Sequence, residues 1–269
     1  MRTARSDYLW LAVTVTAPQG DPLWLLDHSL RSPFPAEDAL AFTALPGNGL
    51  RIAGGGVDQT LRFRSPLARA EQAYGHTHNA LMDRARERGW VRLHAAQVDR
   101  GGRRILIAGR SGAGKTTLAI RWAARGATIG SDEGVLIRGG LCVGLPRRLH
   151  LKHSSRESLP GPARDTAAVL DYDPPVTAVD PGALFAVPPP VAPRAPDLLV
   201  LLAPGEGAPT LSDASPFQVV AELGTEAASL SLDRAALVGE LARLQRTTRC
   251  VTLTGHADES TLDALDALS

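Results

Sequence analysis

A glycine-rich stretch, "GRSGAGKTT" at 109–117, carries the residue types of this chain best suited to chemistry. Gly109, Gly114, Lys115 and Thr116 fit the spacing G-x-x-x-x-G-K-[ST] of a phosphate-binding loop. In such a loop, successive backbone N–H groups and the positive end of the following helix face a polyphosphate, and the glycines permit its close approach. The spacing therefore predicts that this stretch binds a nucleoside triphosphate, and we expect ATP with Mg²⁺.

The sequence on both sides of the loop supplies the context that the motif requires. Ile105 to Ala108 read as a strand, and from Thr116 the chain "TTLAIRWAARG" reads as a helix with Gly126 as its stop. A chance glycine-rich turn is the alternative, and it leaves both flanks unexplained. The predicted nucleotide-binding residues of the loop are Gly109, Arg110, Ser111, Gly112, Ala113, Gly114, Lys115, Thr116 and Thr117.

Two residues of the loop have a predicted chemical role beyond binding. We expect Lys115 to reach the terminal phosphates during catalysis and the Thr116 hydroxyl to hold Mg²⁺. Such a site also needs a carboxylate at the end of a neighbouring strand. The apolar run at 198–202 ends in Ala203 and Pro204, so it supplies none.

The stretch "ATIGSDE" at 127–133 supplies the carboxylates instead, as Asp132 and Glu133. A carboxylate within hydrogen-bond reach of a hydroxyl can accept its proton while a phosphoryl group is transferred. Adjacent residues on an extended segment point in opposite directions, so the two acids need not share one role. A solvated acidic turn is the alternative.

Four elements follow one another in "LHAAQVDRGGRRILIAGRSGAGKTTLAIRWAARGATIGSDEGVLI" at 93–137: a histidine before a hairpin, the loop, its helix and the acidic pair. In this order they resemble the catalytic core of the HPr kinase/phosphorylase family. The resemblance implies that Asp132 takes the proton from a substrate serine. It also implies that Glu133 lies near the metal and that His94 sits near the base and the phosphates. A buried histidine bonded to backbone is the alternative for His94.

The chain is more similar to stand-alone HPr-kinase-like proteins found with peptide natural-product pathways, including those of lasso peptides. There, such kinases phosphorylate a serine of a precursor peptide. The resemblance thus implies transfer of the γ-phosphoryl group of ATP to a Ser or Thr of a peptide or protein partner, and a homo-oligomer. The family's glutamate followed by Arg-Gly, after the acidic pair, is absent in that form; "GLPRRLHLKHSSR" at 144–156 stands there.

Basic residues are concentrated in that replacing segment. In strand geometry Arg148, His150 and Lys152 share one face, where they could meet a triphosphate or an acidic peptide terminus. Lys152 is one of only two lysines in the chain, and the resembling proteins carry a basic residue in this region, so we include it among the predicted nucleotide-binding residues. A solvated basic surface is the alternative.

Composition excludes several classes of function. The formal net charge of +1 over 269 residues gives no general attraction to nucleic acid or membrane, and the longest aliphatic run is five residues. Cys142 and Cys250 lack metal-ligand spacing and suggest reduced thiols in a cytoplasmic protein, with a disulfide as the minor alternative. His76 and His78 fall on different faces of a predicted helix, which argues against a metal site.

The wider pattern predicts an α/β P-loop kinase of the HPr kinase/PEP carboxykinase-like type, a mixed sheet with flanking helices. We expect a β-rich section at 1–64, a kinase core at 65–225 and a C-terminal helix-strand-helix at 226–269. A helix begins at Ser65 and Pro66 and ends at Gly89. Strands are predicted at 8–16, 22–27, 50–53, 57–63, 91–98 and 197–204, a meander at 127–145, helices near 215–223 and 233–246, a strand at 250–255, and a proline-rich loop or lid at 173–196.

Two other functions use the same residues. A small-molecule hydroxyl kinase would need a closed, pocket-sized acceptor site near Asp132. A nucleotide-dependent switch would hydrolyse the nucleotide without phosphorylating an acceptor.

Overall fold

A computed structural model describes residues 1–28, 32–145, 147–152, 159, 164, 168–170, 176–180, 184, 192–228, 234–255 and 259–268. Over these residues the fold is mixed α/β, with mixed sheets and five α-helices. The chain forms two compact units, Met1–Arg88 with Pro146–Val191, and Gly89–Leu145 with Ala192–Ser269. Their divisions fall after residues 88, 145 and 191, whereas the sequence predicts boundaries after 64 and 225.

The strands are β1 (Arg2–Tyr8), β2 (Leu11–Ala17), β3 (Asp38–Leu45), β4 (Gly49–Gly54), β5 (Val57–Arg62), β6 (Val91–Leu93), β7 (Ala95–Arg100), β8 (Arg103–Gly109), β9 (Thr128–Ser131), β10 (Val135–Arg138), β11 (Leu141–Gly144), β12 (Leu149–Lys152), β13 (Ala168–Leu170), β14 (Val176–Val179), β15 (Leu198–Ala203), β16 (Thr210–Asp213) and β17 (Arg249–Thr254). The α-helices are α1 (Pro66–Glu87), α2 (Lys115–Ala124), α3 (Pro216–Ala228), α4 (Arg234–Thr247) and α5 (Glu259–Leu268).

The first unit contains a five-stranded sheet in the order β1-β2-β3-β4-β5 and a three-stranded sheet in the order β12-β14-β13. The predicted strand at 8–16 is confirmed at 11–16, which belong to β2. The chain turns before them at Leu9, whose φ is 54°, and Trp10, so Tyr8 ends the partner strand β1 of a hairpin. The predicted strand at 22–27 is wrong. Pro22–Leu26 form a 3-10 helix, since the Asp21 side chain accepts a hydrogen bond from the Leu23 N–H and a proline occupies the first turn.

Helix α1 of the first unit confirms its predicted start and stop. The Ser65 hydroxyl accepts a hydrogen bond from the Ala68 N–H at 3.1 Å, Pro66 is the first helical residue, and Gly89 follows the helix with a φ of 70°. One stripe of the helix is buried. Its members are Arg69, Ala70, Ala73, Thr77, Leu81 and Ala85.

The predicted proline-rich loop or lid at 173–196 is confirmed at 192–196, which form no helix or strand beyond an isolated bridge of Arg194 with Cys142, and is wrong at 176–179. Val176–Val179 form the central strand of the three-stranded sheet, between β12 and β13. Residues 173–175, 181–183 and 185–191 lie outside the described part of the chain.

The second unit is built on a six-stranded sheet in the order β16-β17-β15-β8-β7-β9, whose central strands β17, β15 and β8 run parallel. Apolar side chains of α3 and α4 and of the small sheet β11-β10-β6 form one buried cluster with alternate residues of β8 and β15. Helix α2 contacts β7, β8 and β9, and the Trp122 indole donates to Asp266 of α5 at 3.0 Å. The predicted P-loop strand, its helix and the strand at 197–204 are thereby confirmed.

The predicted strand at 91–98 is broken at His94. Residues before the break pair with β10 in the small sheet, whereas residues after it pair with β8 and β9 in the six-stranded sheet. The chain makes the reverse passage at 132–134, between β9 and β10. Because β6 pairs with β10 and β7 pairs with β9, the two passages lie side by side.

Candidate functional site

The glycine-rich loop follows β8 directly and leads into α2. Gly109, Gly112 and Gly114 have φ values of 149°, 82° and 98°, which side chains rarely adopt, and Gly114 caps the helix. A Cβ atom at Gly109 would also lie 2.8 Å from the Leu202 carbonyl oxygen on β15. Glycine is therefore required at this position both by the backbone angle and by the neighbouring strand.

Lys115 is only 6% exposed and folds back over its own loop. Its Nζ donates to the Gly109 carbonyl at 2.6 Å and to the Arg110 carbonyl at 3.2 Å. A buried ammonium needs such partners, because removing a charge from water is costly. The positive charge is thus held at the loop that the sequence predicts to bind phosphates.

Strand direction brings the loop, His94 and Asp132 to one edge of the six-stranded sheet. β7 runs antiparallel to both of its neighbours, β8 and β9. The loop after β8, the residue before β7 and the residue after β9 therefore end at the same edge. Neighbouring strands lie about 4.8 Å apart, so the ends of β8 and β9, on either side of β7, are about 10 Å apart. His94 lies between the loop and Asp132.

The histidine meets the second acid of the predicted pair. His94 Nε2 lies 3.4 Å from Glu133 Oε1, and the two side chains are 16% and 46% exposed. They form an ion pair only when the imidazole is protonated. Asp132 differs from Glu133 in environment, since it is only 2% exposed. The adjacent carboxylates thus have different access to solvent.

Close packing fixes the backbone that carries the acids. A Cβ atom at Gly144 on β11 would lie 2.7 Å from the Gly130 carbonyl oxygen, and one at Gly130 would lie 2.5 Å from Gln97 Nε2. The Ser131 hydroxyl accepts a hydrogen bond from the Gly134 N–H at 3.2 Å across the acidic turn. Packing between the strands therefore fixes the backbone that leads into the turn, and the Ser131 side chain bridges the turn.

A cavity of about 250 Å³ adjoins the loop and the first turns of α2. Part of its wall comes from the ends of β15 and β17 and from the residue that follows β17. It is lined by Gly112, Ala113, Gly114, Thr117, Leu118, Arg121, Leu202, Leu253 and Gly255. Ligands of open α/β sheets commonly bind at the carboxyl ends of the strands. Arg121 is not predicted from the sequence, where its only signal is its position one helical turn after Thr117.

The basic segment at 147–152 belongs to the first unit, whereas the loop belongs to the second. The Arg147 guanidinium is buried and donates to the Tyr74 hydroxyl at 2.6 Å, and Arg148 Nε donates to the Asp27 carbonyl at 2.6 Å. These two arginines thus have bonds within their own unit. Lys152 ends β12, and its side chain lies outside the described part of the chain.

The cysteines agree with reduced thiols. Cys142 and Cys250 are free and buried, and burial raises the pKa of Cys142 to about 12 and that of Cys250 to about 11. The described residues contain no group of three or more His, Cys, Asp or Glu side chains able to hold a metal. No helix in the described part of the chain is long and apolar enough to cross a membrane.

No family model matches the chain, and no curated protein matches it. The functional interpretation therefore depends on this chain's own residues.

Proposed function

We propose that the protein is a kinase that transfers the γ-phosphoryl group of ATP to a Ser or Thr hydroxyl of a peptide or protein. One observation carries the proposal: a glycine loop with a buried lysine shares a sheet edge with His94, Asp132 and Glu133. Positioning and charge stabilisation supply most of the catalysis in phosphoryl transfer, so these groups are the ones that the reaction needs.

The loop would hold the phosphates through its backbone N–H groups and the positive end of α2. Lys115 would exchange its bonds to the Gly109 and Arg110 carbonyls for bonds to the terminal phosphates. This exchange keeps the ammonium paired before and after binding. The Lys115 ammonium would therefore have hydrogen-bond partners both in the free protein and in the nucleotide complex.

The residues at this edge also fit Mg²⁺, which usually takes one or two carboxylates together with substrate phosphates and water. The Thr116 hydroxyl and the half-exposed Glu133 would hold it. When bound, the ion neutralises charge that develops on the phosphates. His94, beside Glu133, would orient that carboxylate.

Asp132 would act as the base. The acceptor oxygen attacks the γ-phosphorus, the bond to the β,γ-bridging oxygen breaks to release ADP, and the hydroxyl proton passes to the Asp132 carboxylate. Asp132 is only 2% exposed, so it would accept the proton only from a hydroxyl docked directly against it.

Calorimetric titration with Mg·ATP tests the nucleotide part of the proposal. We expect saturable binding by the wild type and a loss of at least about tenfold in affinity for Lys115→Ala, because the phosphates lose their cation. Arg138→Ala, which removes an exposed arginine at the end of β10 in the same unit, is the matched control and should bind as the wild type does. Equal affinity of Lys115→Ala and wild type would refute the role of the loop.

A further inference from the structure

The part of the cavity that lies beyond the loop residues differs in chemistry from a phosphate site. Leu118, Leu202 and Leu253 give it an apolar wall, and Arg121 supplies its only charged side chain among the described lining residues. An apolar wall with one or two polar groups suits a flat organic ring, whereas a triphosphate requires many donors. Gly112, Ala113 and Gly114 of the loop border the cavity and would supply those donors to the phosphates.

We propose that this cavity receives the base and ribose of the bound nucleotide, with Arg121 lying along the ring. The inference deepens the proposed kinase function and rests on it. The cavity, at about 250 Å³, lies just below the roughly 300–1,000 Å³ of sites for whole small molecules, so it would take the nucleoside while the phosphates stay on the loop.

The cavity extends along α2, away from the loop. Thr117 and Arg121 are four residues apart and lie on one face of the helix. The helix rises about 1.5 Å per residue, so Arg121 lies about 6 Å farther along the axis than Thr117, away from the phosphate end. A nucleoside extending from the loop would follow this direction.

Arginine is well suited to this position. Its planar guanidinium stacks on aromatic rings, and its charge attracts their π-face. The residue is exposed, so a ring entering from solvent can reach its head group. The leucines of β15 and β17, which line the same cavity, would also contact the ring.

Comparing ATP with inorganic tripolyphosphate, both with Mg²⁺, isolates the contribution of the nucleoside. For the wild type we expect ATP to bind at least about tenfold more tightly than tripolyphosphate. Arg121→Ala should weaken ATP binding severalfold and leave the tripolyphosphate affinity unchanged, whereas Arg138→Ala should change neither. Equal affinity of the two ligands for the wild type, or equal weakening of both by Arg121→Ala, would overturn the inference.

Photolabelling with 8-azido-ATP gives a second readout that needs no variant. Trypsin cleaves after Lys115, Arg121, Arg194, Arg234 and Arg249, so a base in the cavity should label the peptides 116–121, 195–234 or 250–269. Labelling confined to other peptides would overturn the inference while leaving the kinase proposal intact. If the wild type binds neither ATP nor tripolyphosphate, both proposals fail.

Discussion

Replacing Gly144 by alanine tests the close approach that fixes the acidic turn. The new Cβ would lie 2.7 Å from the Gly130 carbonyl oxygen, 2.8 Å from the Gly130 carbonyl carbon and 3.0 Å from Ser131 Cβ. Ordinary contact begins at 3.4 Å, so β11 and β9 must separate by about 0.7 Å. All the nearest atoms belong to backbone or to a Cβ, and none can move aside by a rotamer change.

Overpacking of this kind costs about 1–3 kcal/mol. At about 2–4 °C per kcal/mol for a protein of this size, the melting temperature should fall by about 2 to 12 °C. Because Gly130 and Ser131 immediately precede Asp132, the displacement should also lower phosphoryl transfer more than nucleotide binding. Urea unfolding and calorimetry measure the first effect, and transfer of phosphate to a serine peptide measures the second.

Gly239→Ala is the matched control, since it adds the same methyl group to the same unit. A Cβ atom at this position would meet no atom of a neighbouring element within 4 Å, and the residue is exposed inside α4. Alanine should therefore stabilise the helix by about 0.5–1 kcal/mol. Stability of Gly144→Ala equal to that of the wild type, or a shift of both variants in the same direction, would refute the role of the close approach.

Two further predictions concern buried groups. Cys142 and Cys250 should react with a thiol reagent at pH 8 only after unfolding, because their raised pKa values keep the folded thiols neutral. The stabilisation from burying neutral thiols is complete below the unfolded thiol pKa of about 8.5. The free energy of unfolding should fall as the pH rises from there toward 11, since only the unfolded state releases thiol protons in this range. A free energy of unfolding that increases over this range would contradict the prediction. Asp21→Ala should lower the free energy of unfolding by about 3–5 kcal/mol, because it leaves Arg69, 5% exposed, without its ion-pair partner. Asp58→Ala, which removes the exposed ion-pair partner of Arg51, should lower the free energy of unfolding by less than about 1 kcal/mol in the same urea titration. Equal losses for the two variants would refute the role of burial.

The loop and its flanks could be predicted because their signals are local. A strand, three glycines with unusual backbone angles and a helix start all fall within about twenty residues, and each has its own sequence rule. The start of α1 at Ser65 and Pro66 is predictable for the same reason.

Several errors fall where pairing over a distance overrides local preference, whereas the one at 22–27 arises from the local cap at Asp21. Val176–Val179 are flanked by prolines, yet β12 and β13 supply both neighbours of a central strand. The sequence does not predict β3, because "DALAFTAL" has few β-branched residues and its pairing with β2 and β4 determines its structure. Nor does the sequence reveal the break at His94, which arises because two separate sheets compete for the flanking residues.

Phosphorylation of a peptide, followed by intact-mass spectrometry, tests the central claim most directly. Serine-bearing precursor peptides encoded beside the gene would be incubated with Mg·ATP and either the wild type or Asp132→Asn. We predict a gain of about 80 Da, one phosphoryl group, with the wild type only. The amide variant should still bind Mg·ATP, because it keeps the loop but cannot accept the proton. Consumption of ATP by the wild type with every peptide unmodified, or full transfer by Asp132→Asn, would contradict the proposed kinase mechanism.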